Sequence, residues 1–260
     1  MDAAGPHPHE ESELNAAPED QRRLLDLQDL DSRLDRLAHR RRTLPELAEV
    51  ERLSSRQGEL RDLIVEAETL ASDLTRAQTK AEVDVDQVRA RSARDQERLD
   101  SGRVGSPREL ESLQHEVVSL ARRQSDLEEI VLDIMERLEA ATARADSLNM
   151  ERGGIEGELS RAEQQRDAAL IEIDAETQSL DEQRTALTGG LPADLVTLYE
   201  KLRAQHGGVG AAALRQRRCE GCRLELNTVE IARIRTASPD EVLRCDECRR
   251  ILVRTAESGL

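Results

Sequence analysis

The sequence predicts a mainly α fold, a long antiparallel coiled-coil hairpin followed by a small four-cysteine module built on a short β-hairpin. Three observations carry that expectation. The chain of 260 residues contains no Phe, no Trp and one Tyr, Tyr199, so it lacks the aromatic area that compact domains bury. Charged residues make up 35% of it, in the Ala, Glu, Leu and Arg mixture of long helices with a narrow apolar seam. Its only four cysteines fall in two close pairs near the C-terminus.

The descending arm is the clearest element. From Leu110, Leu113, Val117, Leu120 and Gln124 through to Leu180, Gln183 and Leu187, one alternating three- and four-residue spacing runs unbroken for eleven heptads. A repeat sustained this long specifies a left-handed supercoil. A second series runs Leu53, Gln57, Leu60, Ile64, Ala67, Ala71, Leu74, Gln78, Ala81, Val85 and Val88, preceded by a shorter one from Leu27 to Leu44. Between these two, Thr43 and Glu46 have capping-box spacing around Pro45, so a helix restarts there after a kink or a short break.

Residues 101–106, with Gly102 and Gly105 just before Pro107, form the turn of the hairpin, and Ser106 is an N-cap for the second arm. Residues 19–100 and 107–188 then make equal arms of 82 residues, about 120 Å at about 1.5 Å per residue. In this register the numbers of facing residues add to about 207. Ser54, Ser55 and Gly58 come opposite Gly153 and Gly154, where little can be buried, and a flexible joint is expected. Arg40, Arg41 and Arg42 are the one basic cluster of the arms, read as a solvated face, and His115 is read as a surface residue.

The ends are assigned as follows. Residues 1–18 read as a disordered tail whose His7 and His9 are solvated, and 256–260 as a second tail. Residues 189–214 read as a short helix holding Tyr199 and then a linker containing Gly207, Gly208 and Gly210, on which the terminal module swings. Residues 215–255 form that module. Cys219-Glu220-Gly221-Cys222 and Cys245-Asp246-Glu247-Cys248 are two C-x2-C pairs 22 residues apart, the spacing of a closed tetrahedral zinc site. Protein thiolates fill all four positions, so one structural Zn²⁺ is the expected cofactor, and most of the module's folding energy comes from the metal. Gly221 is expected to take a left-handed conformation in its knuckle. Val242–Arg244 and residues 251–254 are expected to pair as a short hairpin beside the metal, and Asn227 with Glu230 has capping-box spacing for a brief helix.

Charge narrows the functional classes. The net charge of −16 discourages broad contact with nucleic acid or anionic membrane, and no apolar run reaches the roughly 18 residues of a membrane span. A cytoplasmic protein without a small-molecule substrate is expected. Residues 215–255 carry ten Arg and seven acids, a balance of +3 that four zinc-bound thiolates reduce to about +1. Arg215, Arg217, Arg218, Arg233, Arg235, Arg249 and Arg250 are the candidate contacts for a partner or for nucleic acid, although no aromatic is present to stack on bases. There is no Ser-His-Asp arrangement, phosphate-binding loop or dinucleotide glycine pattern, so no enzyme is expected.

The ordered combination resembles the bacterial C4-type zinc ribbon family of coiled-coil proteins. The resemblance covers about residues 19–255 and rests on LLDLQDLDSRLDRLAHRRRTLP (24–45), SPRELESLQHEVVSLARRQSDLEEIVLDIMERLE (106–139) and residues 191–253, which include LPADLVTLYEKLR, GGVGAAAL, CEGC and CDECRRILV. Arg249 departs from the Gly that follows the final Cys in many relatives. The resemblance implies an adaptor or chaperone for secretion components or transcription factors, or a nucleic-acid-binding protein. From the residues, a non-catalytic adaptor that docks protein partners through the coiled coil and the ribbon is the leading expectation. Nucleic-acid binding through the arginines is the alternative. A spacer dimerising through shared zinc comes third, since one chain already supplies four thiolates.

Overall fold

The computed structural model describes residues 14–260; His7, His9 and most of the N-terminal tail lie outside them. The elements are α1 (Pro18–Arg42), α2 (Pro45–Asp100), α3 (Pro107–Gly189), α4 (Ala193–Gln205), β1 (Ala211–Arg215), β2 (Arg218–Cys219), α5 (Thr228–Thr236) and β3 (Ile251–Arg254). They divide into two compact units, one of residues 46–165 and one of residues 14–45 with 166–260.

In the unit of residues 46–165, α2 and the first part of α3 run antiparallel. Leu60, Ile64 and Ala67 pack with Ala145 and Leu148, one seam of aliphatic side chains at heptad spacing. Ion pairs Arg56–Glu151 (2.7 Å), Arg91–Glu116 (2.6 Å) and Arg98–Glu109 (3.2 Å) close its side, each between residues whose numbers add to 207. At the turn, Ser106 Oγ accepts the Glu109 N–H and Glu109 Oε2 accepts the Gly105 N–H, which satisfies donors that a helix start leaves orphaned. At Gly58, Gly153 and Gly154, where a flexible joint is expected, α2 and α3 both continue as helix. A Cβ at any of these glycines would meet nothing within 4 Å, because all three face solvent.

The other unit is assembled from both ends of the chain. Leu37 and Leu44 pack against Ile173 and Leu180, a seam of this unit's own, and Arg41 pairs with Asp174. Pro45 opens α2 as expected, but Thr43 ends α1: its hydroxyl donates to the His39 carbonyl instead of capping α2. Beyond the seam, Leu24 and Leu27 of α1 join Leu195, Tyr199 and Leu202 of α4, Ala211 of β1, and Ile251 and Val253 of β3 in one core.

Three sequence expectations fail here. Residues 14–16 are not tail. The Ala16 N–H donates to Asp240, the Leu14 carbonyl accepts from Val242, and Ala16 is buried. The glycine segment is no swinging linker: Gln28 binds the Gly208 carbonyl (2.9 Å) and the Gly210 N–H (2.8 Å). At Gly210 a Cβ would lie 2.6 Å from the Tyr199 carbonyl oxygen, so a larger residue cannot enter. The C-terminal residues are also built in. The Glu257 and Ser258 carbonyls accept from the Gln216 and Arg217 N–H groups, and the buried Ser258 hydroxyl donates to Leu214. Backbone hydrogen bonds to distant residues carry no hydrophobic pattern, which is why these segments read as tails.

The sheet order is β2-β1-β3. β1 pairs antiparallel with β2 and parallel with β3, so the hairpin is β1–β2. The expected pairing of Val242–Arg244 with 251–254 reduces to one bridge, Arg244 with Ile251. The strand missed from sequence, AAALR, is alanine-rich and follows a glycine run, a poor β signal that tertiary packing overrides.

One buried charge organises this unit. Asp31 is 1% exposed. It accepts the Tyr199 hydroxyl (2.7 Å) and Arg184 Nε (2.7 Å). Arg203 Nε lies 3.3 Å away, near enough to pair but not aligned for a hydrogen bond. Arg184 also pairs with Glu200, and Arg203 with Asp35. Burial, with the bond to Asp31, pushes the Tyr199 hydroxyl well above its ordinary range, so it stays a donor. Three helices thus meet on one carboxylate that their arginines compensate.

Candidate metal centre

The two knuckles are built alike. In the first, the Cys219 N–H donates to the Leu224 carbonyl (3.0 Å) and the Arg223 N–H returns to Cys219 (2.7 Å); in the second, the Cys245 N–H donates to Arg250 (3.0 Å) and the Arg249 N–H returns to Cys245 (2.8 Å). The residue that closes each loop is left-handed, Arg223 at φ 63° and Arg249 at φ 61°. Glycine suits such positions best, and both are filled by arginine here. Gly221 is not the left-handed residue. It serves by size, since a Cβ there would lie 2.9 Å from Arg250 Cδ and 3.0 Å from Ala212 Cβ.

The loops aim four sulfurs at one point. The Sγ atoms of Cys219, Cys222, Cys245 and Cys248 all lie within 4.8 Å of one another, with Cys219–Cys248 at 3.8 Å and Cys222–Cys245 at 3.9 Å. A tetrahedron with metal–sulfur bonds of about 2.3 Å has edges of about 3.8 Å, so the spacing fits Zn²⁺. Leu214, Leu226, Ile231, Ile234, Leu243 and Leu252 pack around the buried Cys219 and Cys245. Burial pushes the Cys219 thiol up to about 11 and that of Cys245 higher still. Burial acts the same way on Cys248, but N–H donors of Arg250 outweigh it and lower that thiol. The two buried thiols therefore resist ionising unaided, and a bound divalent cation would offset that cost.

Residues outside the C-x2-C pairs hold the knuckles. Glu230 is buried; its N–H is capped by Asn227 Oδ1 (2.8 Å), and its own carboxylate accepts the Asp246 N–H (3.1 Å). The Asn227–Glu230 spacing was legible, but half of the motif serves the second knuckle. Arg250 donates to the Val209 and His206 carbonyls, each at 3.0 Å. Arg254 donates to the carbonyls of Ala237, Ser238, Pro239 and Glu241. Neither role is visible in the sequence, because carbonyl acceptors leave no residue-type signature.

The seven candidate contact arginines are therefore not equivalent. Arg250 is committed inward, Arg215 pairs with Glu257 (2.6 Å) and Arg233 with Asp246 (2.9 Å). Arg217 occupies the β1–β2 turn with φ 63° and a buried Nε. Arg218, Arg235 and Arg249 are exposed. No helix among the described residues is long and apolar enough to cross a membrane.

Comparison with known proteins agrees with this architecture. Residues 27–207 match the CT398-like coiled coil hairpin domain, and residues 218–252 match the C4-type zinc ribbon domain. An uncharacterised protein of Mycobacterium tuberculosis is 38% identical over 241 residues, 93% of this chain and 98% of the relative. One of Mycobacterium leprae is 32% identical over 221 residues, 84% of this chain and 93% of the relative. Among solved structures, one from Mycobacterium smegmatis aligns with a TM-score of 0.80 at 38% identity, over 93% of this chain and all of that one. CT398 from Chlamydia trachomatis aligns at 0.70 and 21% identity, over 91% and 98% of the two chains, a likeness of fold. The chain belongs to the CT398-like coiled-coil hairpin family, with a C4-type zinc ribbon closing its C-terminal unit.

Proposed function

We propose that this chain is a non-catalytic adaptor that docks protein partners through its coiled coil and ribbon, with one structural Zn²⁺ held by Cys219, Cys222, Cys245 and Cys248. The metal reading rests on the convergence of four thiols from two matching knuckles. A closed four-thiolate set leaves no coordination position for substrate or water.

One observation carries the docking reading: the coiled coil displays large aliphatic side chains to solvent, including Leu70 (49% exposed), Leu132 (60%) and Met135 (45%). Isolated apolar side chains are ordinary on protein surfaces, but here some of them border open grooves. The ribbon arginines favour the nucleic-acid alternative less, since Arg215, Arg233 and Arg250 are engaged within the chain.

The test has two parts. Metal analysis of the purified chain should find one zinc per chain, lost in Cys219→Ser. The folded chain used as bait should retain specific proteins after nuclease treatment. Retention of RNA or DNA alone, released by salt and abolished by Arg218→Glu with Arg235→Glu, would replace the adaptor by the nucleic-acid alternative.

A further inference from the structure

Along one side of the coiled coil in residues 46–165, facing residues are bridged by charge at Arg56–Glu151 and again at Arg91–Glu116. Between these bridges the same register brings Leu63 to Arg144, Leu70 to Arg137, Ala77 to Ile130 and Asp84 to Arg123. The first three of these pairs cannot form an ion pair. Instead the side opens into a groove of about 450 Å³, lined in part by Leu63, Leu70, Arg137 and Arg144 and floored by alanines that include Ala67 and Ala141. Small side chains at seam positions leave room where leucines elsewhere fill it.

Charge distinguishes the lips. Arg144 has no ion-pair partner among the described residues. Arg137 has only Asp133 at 3.4 Å on its own helix, both side chains more than half exposed. Glu66 lines the groove from α2, and with Arg137 offset by Asp133 the lip charge left over is that of Arg144. The lining runs over residues 63–74 and 137–148, two successive heptad layers and roughly 17 Å of helix. An apolar strip of that length flanked by arginine side chains has the chemistry of a helix-in-groove site.

We propose that this groove seats one amphipathic helix of a protein partner, its apolar face on Leu63 and Leu70 and its flanking Glu or Asp residues on Arg137 and Arg144. The coiled coil becomes three-stranded over this stretch. The inference rests on the adaptor reading and names the chemistry of the segment that docks.

The test uses the full chain and two synthetic peptides of about 21 residues, long enough to span the groove as helix. Both carry Leu at the a and d positions, with flanking Glu in one and flanking Lys in the other; binding is read by fluorescence anisotropy. The chain's net charge of −16 attracts the Lys peptide non-specifically, so preference for the Glu peptide must come from the local arginines. The expected result is at least about tenfold tighter binding of the Glu peptide, reversed in Arg137→Glu/Arg144→Glu and lost in Leu70→Glu. All three substitutions are at exposed positions, and far-UV circular dichroism should be unchanged. Equal binding of both peptides, or a preference that ignores residues 137 and 144, overturns the proposal. So does a dimer in sedimentation equilibrium that Leu70→Glu dissociates, since a second copy then covers the groove. If proteins are still captured and depend on Cys219 but not on Leu70, the adaptor reading stands and this groove is not its site.

Discussion

The two units bury their side chains in opposite ways. In residues 46–165 the core is a repeated layer: Leu53, Leu60, Ile64, Leu74 and Val85 do the same job at successive heights, and exposed ion pairs close the sides. In the unit that carries the cysteines a shorter seam and two like knuckles surround contacts that occur once. The only tyrosine, the buried Asp31, the tight Gly210 and all four sulfurs occur once each. A repeated layer spreads the cost of a substitution, whereas a single-use contact concentrates it.

The sharpest way to break this contrast is to remove the metal. Chelation, or Cys219→Ser, should unfold the ribbon, because metal binding in small zinc modules supplies on the order of 10 kcal/mol. Tyr199 sits in the core that β1 and β3 complete, so its emission should shift to that of exposed tyrosine while far-UV circular dichroism keeps most of its helical signal. Asp31→Ala comes next. It leaves Arg184 and Arg203 facing each other without their shared carboxylate, and loss of one member of a buried ionic set costs about 3–5 kcal/mol. Urea unfolding followed by Tyr199 emission should show that loss.

Leu60→Ala tests the repetitive unit. Leu60 is fully buried, and truncation of such a side chain costs about 2–4 kcal/mol. The loss should appear as enhanced amide exchange in the neighbouring heptads with Tyr199 emission unchanged. A matching shift in Tyr199 emission would mean that the units unfold together. The smallest effect is favourable: Arg249→Gly relieves a left-handed arginine and should stabilise the ribbon by about 1 kcal/mol, read as slower zinc loss to a chelator.

The repetitive unit was the more legible of the two. Heptads at Leu60, Ile64 and Ala67, and at Ala145 and Leu148, specify both face and partner because the same signal recurs every seven residues, and the arm register followed from the turn. The cysteine pairs announced their convergence by spacing alone. The supports around them were silent. Residues 14–16, Gln28, Arg250 and Arg254 act through backbone carbonyls and N–H groups, and such partners are identical at every position in a chain. Asp31 looked like one more acid on a charged helix, because only the tertiary fold places an arginine on either side of it.

The core around Tyr199 joins residues near 24 with residues near 251, and the whole of 46–165 lies between them in the chain. During synthesis, therefore, Leu24 and Leu27 must remain without their native partners until the last strand is made, while the local contacts of 46–165 can form as they emerge. The core around Tyr199 therefore closes late. The same arrangement lets the intervening arms change length by matched heptads, one from each, without disturbing the ends that meet. Evolution can thus lengthen or shorten the coiled coil while the cysteine unit stays constant.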